Sequence, residues 1–333
     1  MKKHFKQSFI FILALLLLLP LAACAASNYE RGEATEEAED KKVCKIGVLQ
    51  FADHPSLENC YKGFEEGLGE INYEIDYQVA QADVALCNQI AQNFASKNYD
   101  LICGIATPAA QAAYNAARDK GIPVVFNAVT DPVAAKLQNE DGSNREGVTG
   151  ASDVLPIRAQ LTMIRAFLPE ARSIGILYNT GEANSVSSVA AYEELAPEFD
   201  FEIVTQGISA AADIPTAAQS LTGKVDCLTN LTDNTVVQNL ATILNKTEAA
   251  GIPYFGSEEE QVLNGCIAAE GIDYIALGKR TGEMAAEILS GKKAEEIPVA
   301  TVEESSPFYN SEVLEAFNLE LPEAYKDAAD MAK

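Results

Sequence analysis

From Val43 onward the chain alternates short apolar runs with amphipathic stretches, and this rhythm constrains the fold more than any other feature. Runs at 43–51, 73–79, 100–106, 122–128, 173–178, 200–206, 225–231, 252–256 and 265–269 read as strands. Helical patterns fall between them, near 56–70, 83–97, 108–120, 156–168, 184–196, 213–222, 233–250 and 273–290. Strands that alternate with helices of this length predict βαβ units and parallel sheets. Ile174-Gly175-Ile176-Leu177-Tyr178 is apolar without alternation, as expected of a strand covered on both faces.

The rhythm repeats in order. Asp100-Leu101-Ile102 leads to Thr107-Pro108, a helix, and then Gly121-Ile122-Pro123. Asp226-Cys227-Leu228 leads to Thr232-Asp233-Asn234, a helix, and then Gly251-Ile252-Pro253. The recurrence predicts one α/β unit used twice. The expected fold is therefore two similar doubly wound parallel-sheet lobes.

The first residues bear on where such a fold works. Lys2, Lys3 and Lys6 precede an unbroken apolar run from Phe9 to Leu19. A positive end, a short apolar core and small residues make an export signal. The core is shorter than the ~20 apolar residues of a spanning helix. Its ending, Leu21-Ala22-Ala23-Cys24, resembles the bacterial lipobox, which predicts cleavage after residue 23 and a lipid on Cys24. Residues 24–42 carry Glu30, Glu33, Glu36, Glu37, Glu39 and Asp40, a composition that predicts a disordered acidic tether.

Charge narrows the partners. The chain has 24 Lys+Arg against 49 Asp+Glu, a formal charge of −25, and loss of the leader makes it more negative still. Such a surface repels phosphate backbones, so no nucleic-acid partner is expected. Six of the seven cysteines remain beyond Cys24. Cys44, Cys103, Cys227 and Cys266 sit in apolar runs and read as small buried hydrophobes. No spacing suggests a zinc ribbon or redox dithiol, and no metal or cofactor is expected.

Ligands of open parallel sheets bind beyond the carboxyl ends of the strands. The residues there are polar. Thr107 reads as a helix N-cap with Pro108 at the first helical position, and Asp131-Pro132 repeats that signature. Asp233 is placed to cap a helix starting near Asn234, while Asn184 and Ser185 open another. Gln50, Phe51 and His54 follow the first strand. Each position also suits plain capping or packing. Taken together across two lobes they would converge helix N-termini on one cleft, which favours a carboxylate. Thr107 and Thr130 add hydroxyls, and Asp131, Asp233 or Glu258 could accept from an ammonium group. That set predicts a zwitterionic amino acid, with Phe51, Tyr178 and Tyr274 as possible apolar walls. His54 is the one histidine beyond the leader, and no Ser-His-acid set is legible, so no enzyme is expected.

These residues resemble the substrate-binding protein family of ABC transporters that includes tryptophan- and tyrosine-type binding lipoproteins, within the type I periplasmic-binding-protein superfamily. The resemblance rests on Ile46-Gly47-Val48-Leu49-Gln50-Phe51 with His54-Pro55, Ile105-Ala106-Thr107-Pro108-Ala109-Ala110-Gln111, and Ala128-Val129-Thr130-Asp131-Pro132-Val133. It continues through Leu177-Tyr178-Asn179, Gly181-Glu182-Ala183-Asn184-Ser185, Thr232-Asp233-Asn234-Thr235-Val236 and Gly271-Ile272-Asp273-Tyr274. Gly256-Ser257-Glu258-Glu259-Glu260 departs from the aspartate-containing segment of that pattern. The resemblance implies lobe 1 at 43–152 plus 272–302, lobe 2 at 153–271 plus 303–325, and hinge crossovers between them. It implies a monomer outside the cytoplasm that delivers an amino acid, aromatic ones favoured, to a permease with a cytoplasmic ATPase. The candidate ligand-binding set is Gln50, Phe51, His54, Thr107, Pro108, Thr130, Asp131, Asn184, Ser185, Asp233, Asn234, Glu258 and Asp273. A sensor reporting to a membrane receptor, or an exported enzyme on the same scaffold, would use the same cleft.

Overall fold

A computed structural model describes residues 43–302 and 304–332. The export signal, Cys24 and the acidic tether lie outside the described residues. In chain order the elements are β1 (Cys44–Gln50), α1 (Pro55–Leu68), β2 (Tyr73–Val79), α2 (Val84–Ser96), β3 (Leu101–Ile105), α3 (Thr107–Ala117), β4 (Val124–Asn127) and β5 (Val148–Ser152). Next come α4 (Ile157–Phe167), β6 (Ser173–Asn179), α5 (Ala183–Leu195), β7 (Glu202–Ile208), α6 (Ile214–Thr222), β8 (Cys227–Thr229), α7 (Asn234–Gln238), α8 (Leu240–Ala250), β9 (Tyr254–Phe255), α9 (Glu259–Leu263) and β10 (Ala268–Gly271). They are followed by α10 (Tyr274–Leu289), β11 (Ala300–Thr301), β12 (Ser306–Tyr309), α11 (Ser311–Ala316) and β13 (Ala329–Asp330).

The strands form two parallel sheets of matching order. The first runs β11-β5-β4-β3-β1-β2 and the second β7-β6-β8-β9. Reading β1, β2, β3 and β4 against β6, β7, β8 and β9 gives one spatial order twice. The sequence echoes have equivalent jobs. Asp100 accepts from the amide of Lys45, and Asp226 accepts from the amides of Arg172 and Ser173, each tying the start of one strand to its neighbour. Gly121 and Gly251 both take φ of 66°, the left-handed cap that ends a helix before the Ile-Pro turn into the next strand. A side chain there would be strained, which is why both copies use glycine.

Each lobe has its own core. One cluster draws on Ile46–Ala151 and Tyr274–Ile297, whereas two others draw on residues between Leu155 and Ala269 with Leu314 and Tyr325. The chain passes between the lobes after β5, after β10 and after β11.

The tightest helix pair is α1 with α10, and small residues explain it. A Cβ on Gly63 would lie 2.1 Å from the carbonyl oxygen of Ile275, and one on Gly67 would lie 2.1 Å from that of Lys279. Gly278 and Gly282 stand equally close to the backbone of Cys60 and Phe64. Glycines four apart on both helices let the backbones touch. This fixes the two N-termini side by side, His54 before one and Tyr274 at the start of the other.

Some elements depart from expectation. The single helix expected over 233–250 is broken into α7 and α8 at Asn239, whose side chain turns back to the carbonyl of Thr235. β10 belongs to neither parallel sheet; it pairs antiparallel with β12 in a separate three-stranded sheet. β5 carried no apolar run because its interior is small: a Cβ on Gly150 would meet the Phe126 carbonyl at 2.1 Å. Cys60, Cys87, Cys103, Cys227 and Cys266 are free and buried, and Cys44 is free and half-buried.

Candidate ligand-binding site

The C-terminal ends of β1, β3 and β4 in one lobe face the ends of β6 and β8 in the other across a narrow cavity with little free space. His54 comes from the N-cap of α1 and Leu57 from its first turn, Ala106 and Thr107 from the start of α3, Ala128 and Thr130 from the loop after β4, and Tyr274 from α10. The opposite wall is Asn184, Thr232, Asn234 and Glu258, with Asp153 at the crossover after β5.

The backbone is strained where it lines this cavity. Ala106 has φ 75° and ψ 155°, and Ala128 has φ 54°. Non-glycine residues at such angles cost on the order of 1–3 kcal/mol each and gather at functional sites. Ala106 rather than Thr107 occupies the N-cap of α3 and offers no side-chain bond, so the expectation that Thr107 caps this helix is corrected. Thr107 is the first helical residue, and its hydroxyl is not used by the helix.

That hydroxyl belongs to a telling set. Among the described residues the buried side-chain atoms without a partner are His54 Nδ1, Thr107 Oγ1, Asn127 Oδ1 and Asn184 Oδ1. All but Asn127 line the cavity. Buried polar atoms left unpaired cost on the order of 1–3 kcal/mol apiece, so their concentration here sets this cavity apart from the rest of the described interior.

Two buried carboxylates share the space. Asp153 accepts from Thr130 Oγ1 at 3.0 Å, and Thr130 is 3.1 Å from the hydroxyl of Thr232 across the cleft. Glu258 accepts from Ser56 at 2.5 Å and from Tyr274 at 3.2 Å. Burial pushes Asp153 up to about 7, and the neighbouring Glu258 adds to the effect. Burial also raises Glu258. The cavity lining holds no Lys or Arg to offset these acids. His54 is held down to about 4 by burial, against opposing pulls from Asn234 and nearby acids, so its imidazole is neutral near pH 7.

The sequence-predicted residues divide into two groups. His54, Thr107, Thr130, Asn184, Asn234 and Glu258 line the cavity together. The others lie elsewhere. Gln50 is buried between the Ala52 carbonyl and the Tyr77 hydroxyl, and Phe51 is in the core. Pro108 sits in the first turn of α3, its carbonyl toward Cys87. Asp131 receives the amides of Val133 and Ala134 and the hydroxyl of Ser187, at the cleft rim. Ser185 donates to Asp233, and Asp233 accepts the amides of Asn179 and Val236, so both are spent inside their own lobe. Asp273 caps α10 and is exposed. Sequence reasoning left out Asp153, Thr232 and Leu57. Asp153 follows a strand with no apolar signature, so nothing placed it at a strand end.

Two parallel-sheet lobes facing each other across a polar, strain-lined cavity define a bilobal solute-binding protein. The chain belongs to the ABC transporter substrate-binding protein family, whose profile matches residues 45–333. It is 38% identical over 291 residues to a tyrosine-binding protein of Clostridioides difficile, covering 86% of this chain and 84% of that one. A Streptococcus pneumoniae domain solved in complex with L-Trp superposes with a TM-score of 0.83 at 31% identity, covering 86% of this chain and 99% of the other. A ligand-free, open substrate-binding protein with adhesive properties from Clostridium difficile gives a TM-score of 0.65 at 37% identity, covering 86% and 98%.

Proposed function

We propose that this protein is the receptor of an ABC importer, held outside the cytoplasm by a lipid on Cys24, and that its lobes close on an aromatic amino acid. The observation that carries the reading is the convergence of Thr107 Oγ1, Asn184 Oδ1 and His54 Nδ1 with two uncompensated carboxylates in one cavity. A zwitterion answers both needs. Its carboxylate takes the Thr107 hydroxyl at the N-terminus of α3, where the helix dipole favours an anion. Its ammonium group takes Asp153, Glu258 and the Asn184 carbonyl. The interlobe bonds and the higher TM-score against the L-Trp complex than against the open protein support a closed arrangement. The named ligands of the relatives support an aromatic side chain.

A thermal-shift screen of the protein against the proteinogenic amino acids tests the ligand. Tyrosine or tryptophan is expected to give the largest rise, with about 2.7 kcal/mol of stabilisation at 100 times the dissociation constant. No shift with any amino acid would end the reading. Cys24→Ala is expected to move the protein from the membrane to the soluble fraction; retention on the membrane would refute the lipid anchor.

A further inference from the structure

Glu182 is buried in the second lobe, outside the cavity, and all its hydrogen-bond partners are neutral. One oxygen accepts from the amide of Asn234 at 3.0 Å and from Asn234 Nδ2 at 2.7 Å. The other accepts from the amide and hydroxyl of Thr235 at 3.0 and 2.8 Å. The Asn184 side-chain nitrogen lies 3.5 Å away and donates to the Thr232 carbonyl at 2.8 Å.

A carboxylate and a backbone carbonyl only accept, whereas a side-chain amide has one accepting and one donating end. The group that an amide faces therefore decides which end it shows to the far side. Glu182 takes the NH₂ of Asn234, and the Thr232 carbonyl takes that of Asn184. Both amides then turn their oxygens toward the cavity, where Asn184 Oδ1 has no partner and the Asn234 side chain meets His54. A reversed amide would put NH₂ beside the bound ammonium group. Asp233, the second carboxylate of this knot, receives Asn179, Ser185 and Val236 and touches neither amide, so it anchors backbone instead.

We propose that Glu182 is a positioning residue that locks the Asn234 amide oxygen-first, as the Thr232 carbonyl does the neighbouring Asn184 amide, so that both amides of the second lobe present acceptors rather than NH₂ groups to the ligand's ammonium group. This rests on the amino-acid reading above and adds to it the origin of selectivity for the charged amine.

The test is titration calorimetry with L-tyrosine and L-tryptophan and with their deaminated arylpropionate analogues, on the wild type and on Glu182→Gln. The variant is expected to lose at least about tenfold in affinity for the amino acids, the range of a hydrogen bond to a charged group, with little change for the analogues. Preference for the amine therefore falls. Glu182→Gln/Asn234→Asp again gives the cavity an acceptor at position 234 and is expected to restore the preference. It also carries the test should the single variant not fold. Equal losses for amino acid and analogue, or a double variant without restored preference, would overturn the proposal and leave the receptor reading intact. A wild type that binds neither amino acid would overturn both.

Discussion

Asp153 and Glu258 share one phenol: the Tyr274 hydroxyl lies 3.4 Å from Asp153 Oδ2 and 3.2 Å from Glu258 Oε1. Tyrosine has a single proton to donate, so it serves one carboxylate at a time. The other is left with one hydroxyl, Thr130 for Asp153 or Ser56 for Glu258, and burial drives both toward the protonated form.

Binding of an amino acid should therefore expel a proton. On the amino-acid reading proposed above, an ammonium group beside Asp153 would stabilise its ionised form and lower a pKa that burial holds at about 7. Affinity is expected to rise as pH increases through 7 and to weaken below it. Stability of the unliganded protein runs the other way. With the folded pKa raised, the native state binds more protons than the unfolded chain between about pH 4 and 7, so this group's contribution falls as pH rises across that window. Calorimetry in buffers of different ionisation enthalpy measures the released proton. Asp153→Asn should abolish the release, and its persistence would exclude Asp153 as the source.

Thr107→Val separates binding from folding. The hydroxyl has no partner and caps no helix, and valine has nearly the same shape. Melting of the unliganded protein should stay level or rise, because an unpaired buried oxygen is removed. Affinity should drop by about 1–3 kcal/mol. A lower melting temperature with unchanged affinity would show that the hydroxyl serves the fold.

The sheets were legible because parallel strands buried on both faces must be apolar throughout, as Ile174–Tyr178 is. The duplication was legible because equivalent turns need the same chemistry, as at Gly121 and Gly251. β5 and the two-residue strands β11 and β13 were not, since neither small side chains nor a pair of residues makes a period. At the site, position relative to strand ends found Thr107, Asn184 and Asn234. It could not tell a capping carboxylate such as Asp233 from a cavity one such as Glu258, because that depends on which amides lie within reach.

The glycines of α1 and α10 should be intolerant of even one methyl group. Gly63→Ala would press a Cβ against the Ile275 carbonyl, and backbone cannot move aside without parting the helices. The expected cost is about 1–3 kcal/mol, or a melting temperature lower by about 2–4 °C per kcal/mol. Gly223→Ala is the control, since its nearest atom would be 4.0 Å away and its backbone angles are ordinary. Equal melting of the two variants would refute close helix contact.

Free, buried thiols predict a simple labelling pattern. Burial raises the pKa of Cys60, Cys87, Cys103, Cys227 and Cys266, which removes the reactive thiolate as well as access. Iodoacetamide on the native protein should mark Cys44, and Cys24 only where it carries no lipid. The other five should appear after denaturation without reductant. A need for reductant would reveal disulfides.

Closure should depend on polar bonds that exist only while the lobes touch. Ser56 reaches Glu258 and Glu260, and Asn59 reaches Glu260 at 2.6 Å, all from α1 to the segment that opens α9. In an open form these groups would be hydrated, so their pairing contributes to the closed state alone. A ligand that touches both lobes gains from that pairing, because its affinity reflects the free-energy difference between the two forms. Asn59→Ala should therefore shift the population toward the open form and weaken binding by about 0.5–1.5 kcal/mol. The loss is expected in the dissociation rate, since the bond forms after encounter. Stopped-flow binding measures the rates, and small-angle scattering with and without ligand reports the shape. Slower association with unchanged dissociation would place Asn59 at the entrance rather than in the latch.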